Sequence, residues 1–326
     1  MTLKSKQIKL RELDYLTVSS HRGLLTKPKQ QKHLIRLKAG DKGELDLVDF
    51  LIDRLPTNWH LLRNVWLEFD GNITEVDILI ITPKFWWVLE VKNYRGQFEY
   101  RNHTCYLNQE AFPDQVAACR NRLRIVKRIA DQMQSDTPEV HCSIVFINEL
   151  CQVTAEAQPD IHLMMRYQIP GHLNEMIHRH KVQPQTINQQ ESLSTIYQYE
   201  IDHPYLPQHP NPAAFELATK GIHCPACHSY DIRIHHRQAK CLQCHHTISK
   251  TQAVLQATCE LGVLYHNNPK IITTANLYEF TAGKISQKGI RLILKQHLRK
   301  YGIKHGTYYD NYALPYEQIK DRFKLK

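Results

Sequence analysis

Asp77, Glu90 and Lys92 have the types and spacing that could do chemistry. They stand in the stretch EVDILIITPKFWWVLEVKNYRG, residues 75–96. Val76 to Thr82 and Phe85 to Lys92 are rich in β-branched and aromatic residues, and Pro83-Lys84 between them supplies a turn, so the stretch predicts a hairpin. Side chains alternate along a strand, which sends Glu90 and Lys92 to one face. With Asp77 across the ladder, two carboxylates and an ammonium converge. Charges in an apolar sheet are costly unless paired or metal-bound. One reading of the triplet is an ordinary ion pair at a sheet edge. The other is a hard oxygen site for magnesium or manganese, an ion that keeps waters free for a substrate phosphate.

A second set lies at CPACHSYDIRIHHRQAKCLQC, residues 224–244. Two Cys-x-x-Cys knuckles flank strand-like, hydrophilic sequence, the pattern of a zinc ribbon. Cys224, Cys227, Cys241 and Cys244 can surround one zinc ion tetrahedrally and leave no open position, so its role is structural. His223, His228 and His245 are alternative ligands, whereas a redox role for one knuckle leaves the other unexplained. Of the nine cysteines, Cys105, Cys119, Cys142, Cys151 and Cys259 are scattered singly and read as small apolar filler.

With 326 residues the chain has room for two or three domains. It lacks a run of eighteen apolar residues, and its start, MTLKSKQIKLRELDYL, lacks the apolar core of a signal peptide. A cytoplasmic protein without a membrane segment is the expectation, and a disulfide framework is not. The net charge of +10 suits a polyanionic partner, most simply nucleic acid.

Along the chain, residues 1–37 read as a basic arm or a disordered lead-in. Leu47, Val48, Leu51, Ile52 and Leu55 then recur at helical spacing, predicting a helix of about fifteen residues that stops near Pro56. Glu44 lies one turn before Val48, so it is either a third carboxylate pointing in from the helix start or a first-turn glutamate serving the helix dipole. Trp59 to Phe69 predicts a strand and Gln97 to Asn108 a further strand or hairpin arm. Pro113 opens a long helix to about Met133 that buries Leu123, Val126 and Ile129, and from whose start Gln115 can reach inward. His141 to Ile147 is a last apolar strand. The order makes an α/β core, a mixed sheet with helices on its faces.

The motifs Gly40-Asp41-Lys42-Gly43-Glu44, Glu75-Val76-Asp77, Glu90-Val91-Lys92-Asn93 with Gly96, and Phe112-Pro113-Asp114-Gln115 resemble, in order, those of the nuclease-related domain (NERD), a branch of the restriction-endonuclease-like PD-(D/E)XK fold. The resemblance covers residues 38–150. It implies a metal-dependent nuclease in which Asp77 and Glu90 hold magnesium or manganese, the Val91 carbonyl adds a ligand, and Lys92 orients or polarises the attacking water. Glu44 and Gln115 match the supporting glutamate and glutamine at the starts of two helices. No proline precedes Asp77, where the wider fold has one and this chain has Val76.

Beyond the core, residues 151–220 read as an extension that ends in the proline-rich linker HPYLPQHPNP. Residues 221–248 form the ribbon, whose Arg233, Arg237 and Lys240 can meet phosphates. Residues 249–326 form a helical module in which a turn at Ala282-Gly283-Lys284 precedes an amphipathic basic helix. It resembles a helix-turn-helix presenting Gln287, Lys288, Arg291 and Lys295, although a generic helical hairpin has the same pattern. The expected function is phosphodiester hydrolysis of nucleic acid, DNA before RNA, with ribbon and basic helix binding the substrate. The alternative is a non-catalytic nucleic-acid-binding or regulatory protein on a nuclease-like fold.

Overall fold

The computed structural model describes residues 11–181, 186–202 and 211–311. The chain divides into two compact units, one built chiefly from Arg36–Asp202 and the other from Ile8–Ile35 with His203–Lys326. The beginning of the expected basic arm, residues 1–10, and residues 203–210 of the proline-rich stretch lie outside the described residues.

The rest of that arm is helical. It forms α1 (Glu12–His21) and the first turns of α2 (Pro28–Ile52). Leu16 and Val18 are buried on α1. Pro28 sits at the first position of α2, where its missing N–H costs nothing. The helix expected to begin beside Glu44 thus starts about four turns earlier, and Glu44 lies in its interior. Gly40 and Gly43, which precede the expected start of the helix, are helical. Gly43 has a packing reason, because a Cβ there would stand 2.8 Å from Asn93 Cβ and 3.2 Å from the Ile147 side chain. Only a bare backbone lets the helix approach the strand ends so closely.

The first unit continues with β1 (His60–Phe69), β2 (Asn72–Ile81), β3 (Phe85–Lys92), β4 (Gly96–Arg101), β5 (Thr104–Leu107), β6 (Glu110–Phe112), α3 (Gln115–Ala130), β7 (Glu139–Phe146), β8 (Cys151–Ala155), β9 (His162–Met165), α4 (Ile169–Lys181) and α5 (Gln189–Tyr199). Its main sheet has the order β1-β2-β3-β7-β9, beside a smaller sheet β6-β5-β4-β8. Asp70 and Gly71, both with left-handed φ, close the β1–β2 hairpin as a type I′ turn demands. β2 and β3 are antiparallel, while β3, β7 and β9 are parallel, so the sheet is mixed. A parallel return needs a long crossover, and α3 supplies it. α3 covers one face, where Val116, Leu123 and Val126 pack with Trp86, Val88 and Ile144. On the other face, Leu47 and Leu51 of α2 and Leu173 of α4 pack with Phe85, Trp87 and Leu89. β3 is therefore buried on both sides, which is why it reads as a continuous apolar run.

The second unit holds α1, α6 (Ala214–Leu217), the three-stranded sheet β10 (Ile232–His235), β11 (Gln238–Cys241) and β12 (Thr247–Ser249), α7 (Lys250–Leu264), α8 (Thr274–Phe280), α9 (Gln287–His297) and the pair β13 (Lys300–Tyr301) and β14 (Tyr308–Tyr309). Every residue of α7 from Ala253 to Leu264 is buried, which makes α7 the axis of this core. Among the described residues, no helix is long and apolar enough to cross a membrane.

Candidate functional site

The β2–β3 ladder ends at Ile78 and Leu89, and Asp77 and Glu90 are the next residues beyond it on the two strands. The two strands are tied there by the Val91 N–H, which donates to Asp77 Oδ2 at 2.7 Å. Val91 thus meets Asp77 through its amide, in addition to whatever its carbonyl offers.

The partner strand is distorted opposite Asp77. Asn64 has φ 53°, and the β1–β2 ladder runs from Arg63↔Ile78 to Val65↔Val76 without pairing Asn64. Leu62 and Val65, three apart, consequently share the α3-side core with Val76 and Leu79, also three apart. Such a break in the two-residue period re-aims side chains, and these breaks are common beside active sites.

Glu90 is only 2% exposed. Lys92 Nζ lies 2.6 Å from Glu90 Oε1, and Arg122 Nη1 of α3 lies 3.2 Å from Glu90 Oε2. The Arg122 contact lacks hydrogen-bond geometry, so Oε2 is buried without a hydrogen bond. Arg122 instead donates through Nε to the Glu75 carbonyl at 2.7 Å. Glu44 accepts from Arg63, whose Nη2 stands 3.0 Å from its carboxylate and 2.7 Å from that of Asp41. Asn93 fastens the strand end, donating to the Ala39 carbonyl and accepting from Asn148. Gly96 has φ 100°, and a Cβ there would strike Asn108, whose side chain accepts from the Gln97 N–H.

The electrostatics are unbalanced. Burial, reinforced by Glu90 and Glu44 and only partly opposed by Lys92, pushes the Asp77 carboxyl up to about 8. Burial likewise pushes Glu44 up to about 7 against the pull of Arg63. For Lys92, burial disfavours the charge, but Glu90, Tyr94 and Asp77 outweigh it and hold the ammonium above the ordinary lysine range. Lys92 is therefore a cation at neutral pH and a hydrogen-bond donor, not a base.

Glu44, Asp77, Glu90 and Lys92 thus act on one another across the carboxyl end of β3. Gln115 does not join them. Asp114 caps α3 by accepting from the Val116 and Ala117 N–H groups, and the Gln115 side chain turns back to donate to the Pro113 carbonyl at 2.8 Å. Arg63 and Arg122 are members that sequence reasoning missed, since nothing in a basic segment marks which guanidinium turns inward.

Residues 39–147 match the family model of the nuclease-related domain. All of the carboxylates just described fall inside that span, and no curated protein matches the chain. The donor set of the nuclease-related domain fits a hard divalent cation on chemical grounds. Asp77 and Glu90 supply oxygens, one of them a buried oxygen without a hydrogen bond, and a bound cation would favour the ionised carboxyls that burial disfavours at Asp77 and Glu44.

In the second unit, Cys224, Cys227, Cys241 and Cys244 place their sulfurs within 4.8 Å of one another. The Cys224–Cys244 and Cys227–Cys241 separations are 3.5 and 3.6 Å, close to the roughly 3.8 Å edge of a tetrahedron with 2.3 Å metal–sulfur bonds. The residue after each second cysteine, His228 and His245, is left-handed, which folds each knuckle back so that N–H groups face sulfur, as the Ala226 N–H faces Cys224. The cluster fits a zinc ribbon. His223, one of the alternative ligands, is taken up elsewhere: its Nε2 lies 2.7 Å from Glu260.

Arg233 and Lys240 face each other across β10 and β11, and with Arg237 they are exposed. Like charges directly opposite repel, a small cost that a bound phosphate would remove. On α9, Ser286 caps the start, Ile290, Ile293 and Leu294 are buried, and Gln287, Lys288, Arg291 and Lys295 are exposed.

Proposed function

We propose that the nuclease-related domain hydrolyses phosphodiester bonds in nucleic acid, with DNA as the substrate, and that a zinc-bound ribbon and α9 hold the strand. The observation that carries this reading is the buried carboxyl cluster at the end of β3, where Asp77 accepts from the Val91 N–H and burial, reinforced by Glu90 and Glu44, pushes it up to about 8. Asp77 and Glu90, with the Val91 carbonyl, are the groups that would hold magnesium or manganese. Such an ion, when bound, polarises the phosphate and lowers the pKa of its water. Lys92, held by Glu90 at 2.6 Å, offers a fixed cation to the phosphoryl oxygens and the attacking water, a preorganised charge that needs no rearrangement during reaction. Glu44 keeps Arg63 in place beside the strands. DNA is favoured by the α8–α9 pair, since a helix presenting Gln287, Lys288, Arg291 and Lys295 suits the wide major groove of B-form DNA and not the narrow one of A-form RNA.

A non-catalytic nucleic-acid binder is the second reading. It is favoured by the two cations already facing Glu90, Lys92 and Arg122, and by the outward use of Gln115. One assay separates the two. Purified protein is incubated with supercoiled, linear and single-stranded DNA and with RNA, each with magnesium or manganese. Cleavage of DNA, reduced at least about a hundredfold by Lys92→Ala and by Asp77→Asn, supports the hydrolase. Equal cleavage by wild type and both variants refutes the site, and tight binding without cleavage gives the case to the second reading.

A further inference from the structure

A cavity of about 280 Å³ opens beside the ends of β7 and β9, lined by Phe50, Phe146, Cys151, Met165, Arg166 and Tyr167 with other residues of the same unit. Its position relative to the β3 end follows from the register. Phe146 is the partner of Lys92 in the parallel β3–β7 ladder, one strand spacing or about 4.8 Å away. Asn148, also in the lining, donates to Asn93, the residue after Lys92. The cavity is therefore a neighbour of the lysine end of the carboxylate cluster, on the scale of the rise of one or two nucleotides, each about 3.4 Å.

Resting on the nuclease reading above, we propose that this cavity binds one nucleobase of the substrate, unstacked from its neighbours, next to the phosphate that Lys92 faces. The lining supplies what a base face and a base edge require. Tyr167 is 72% exposed, a large flat side chain left in water at the cavity. The Phe50 ring carries the Arg54 guanidinium at 3.9 Å and that of Arg166 at 5.4 Å. Bases stack on aromatic rings and on guanidinium planes alike. Arg166 and Glu149 are 3.8 Å apart with Glu149 80% exposed, a loose contact that leaves a donor and an acceptor for the edge of a base. An apolar peptide side chain or an acyl chain would use the rings but leave the Arg166 guanidinium and the Glu149 carboxylate without a role. The volume admits one ring system and excludes a base pair, so the target is an unpaired or extruded base.

The test uses oligonucleotides with a single unpaired 2-aminopurine and the same strands with an abasic site at that position. Both strands carry a terminal fluorescein whose anisotropy reports affinity, 2-aminopurine emission is read on the first, and the protein is the Lys92→Ala chain, which keeps the strands uncut, with and without Tyr167→Ala or Tyr167→Phe. The exposed position of Tyr167 makes its substitution harmless to folding, which thermal unfolding checks. The expected result is quenching of 2-aminopurine on binding and about tenfold weaker affinity with Tyr167→Ala, preserved affinity with Tyr167→Phe, and no effect of Tyr167→Ala on the abasic strand. Equal affinity of the Tyr167→Ala and parent chains for both strands, or binding to neither strand, overturns the pocket. Cleavage by the wild type alongside equal affinities sinks the pocket alone. Base-dependent loss without any cleavage by the wild type keeps the pocket and sinks the hydrolase.

Discussion

Glu260 in the second unit and Asp77 in the first are both carboxylates taken out of water, and they answer burial in opposite directions. Burial alone would raise Glu260, which is 4% exposed, yet Arg22 and His223 outweigh it and hold the carboxyl well below the usual range. Arg22 donates to Glu260 through Nε at 2.8 Å and through Nη2, and spends Nη1 on the Thr219 and Gly221 carbonyls. Gln256 donates to the other Glu260 oxygen at 3.0 Å, and Phe280 lies under the guanidinium, 4.0 Å from its carbon. Asp77 has one backbone N–H, a lysine committed to Glu90, and two acidic neighbours. What separates the two regions is not depth but whether the charges close among themselves. A closed set is architecture; a set whose buried carboxyls lack the partners to stay ionised has room for a cation from outside.

The largest effect expected from breaking this contrast is on the closed set. Arg22→Met leaves Glu260 buried without its main cation, and losing one member of a buried pair costs about 3–5 kcal/mol. The sign with pH follows from the depressed carboxyl: the stabilisation from Glu260 is in place above the ordinary carboxylate range and is lost as acid carries the solution through its folded-state value. Arg22→Met should therefore hurt most at neutral pH and little in strong acid. All four tryptophans, Trp59, Trp66, Trp86 and Trp87, lie in the first unit. Circular dichroism should then report early loss of helix while tryptophan fluorescence changes late; a variant as stable as the wild type at pH 7 would show that the network is dispensable.

The open set should respond the other way. Glu44 is raised to about 7, so ionising it in the folded chain costs nothing below its unfolded value near 4.5 and progressively more up to pH 7. At about 1.4 kcal/mol per unit the full cost is about 3 kcal/mol, with the opposing Arg63 contact already inside that figure. Glu44→Gln is expected to stabilise the first unit by about 1–2 kcal/mol at pH 8, to leave it unchanged at pH 4.5, and to lower cleavage. Tryptophan fluorescence during thermal unfolding reads the first two. Destabilisation at pH 8 would mean that the Arg63 pair outweighs burial.

Which parts of this contrast were legible in the sequence depends on range. Asp77, Glu90 and Lys92 share a hairpin, and a short turn between two strands is enough to bring them to the same end of it. The cysteines announce themselves by spacing, and α9 by its apolar stripe. The interior position of Glu44 was hidden because Gly40 and Gly43 punctuate like a loop, whereas Gly43 answers to Asn93, fifty residues on. Arg22 and Glu260 pair across 238 positions, and α1 with the first turns of α2 reads as a basic arm until the core that takes up Leu16 and Val18 is known. The kink at Asn64 has no signal beyond an asparagine in a strand, a residue that tolerates the left-handed region.

Arg122 sharpens the comparison with the smallest change. In the second unit the buried arginine completes its set; in the first, Arg122 sits 3.2 Å from Glu90 Oε2 without a hydrogen bond and so competes with an incoming cation more than it organises the carboxylate. Arg122→Met removes a positive charge from a site already short of them. Folding should suffer by about 1–2 kcal/mol, because buried Glu90 keeps Lys92 as a cation while the Glu75 contact is lost. Manganese affinity, measured by titration at pH 8, should become severalfold tighter. Weaker binding would show that Arg122 holds Glu90 in its ligating position, and the first unit would then be closer to the closed design of the second than its charges imply.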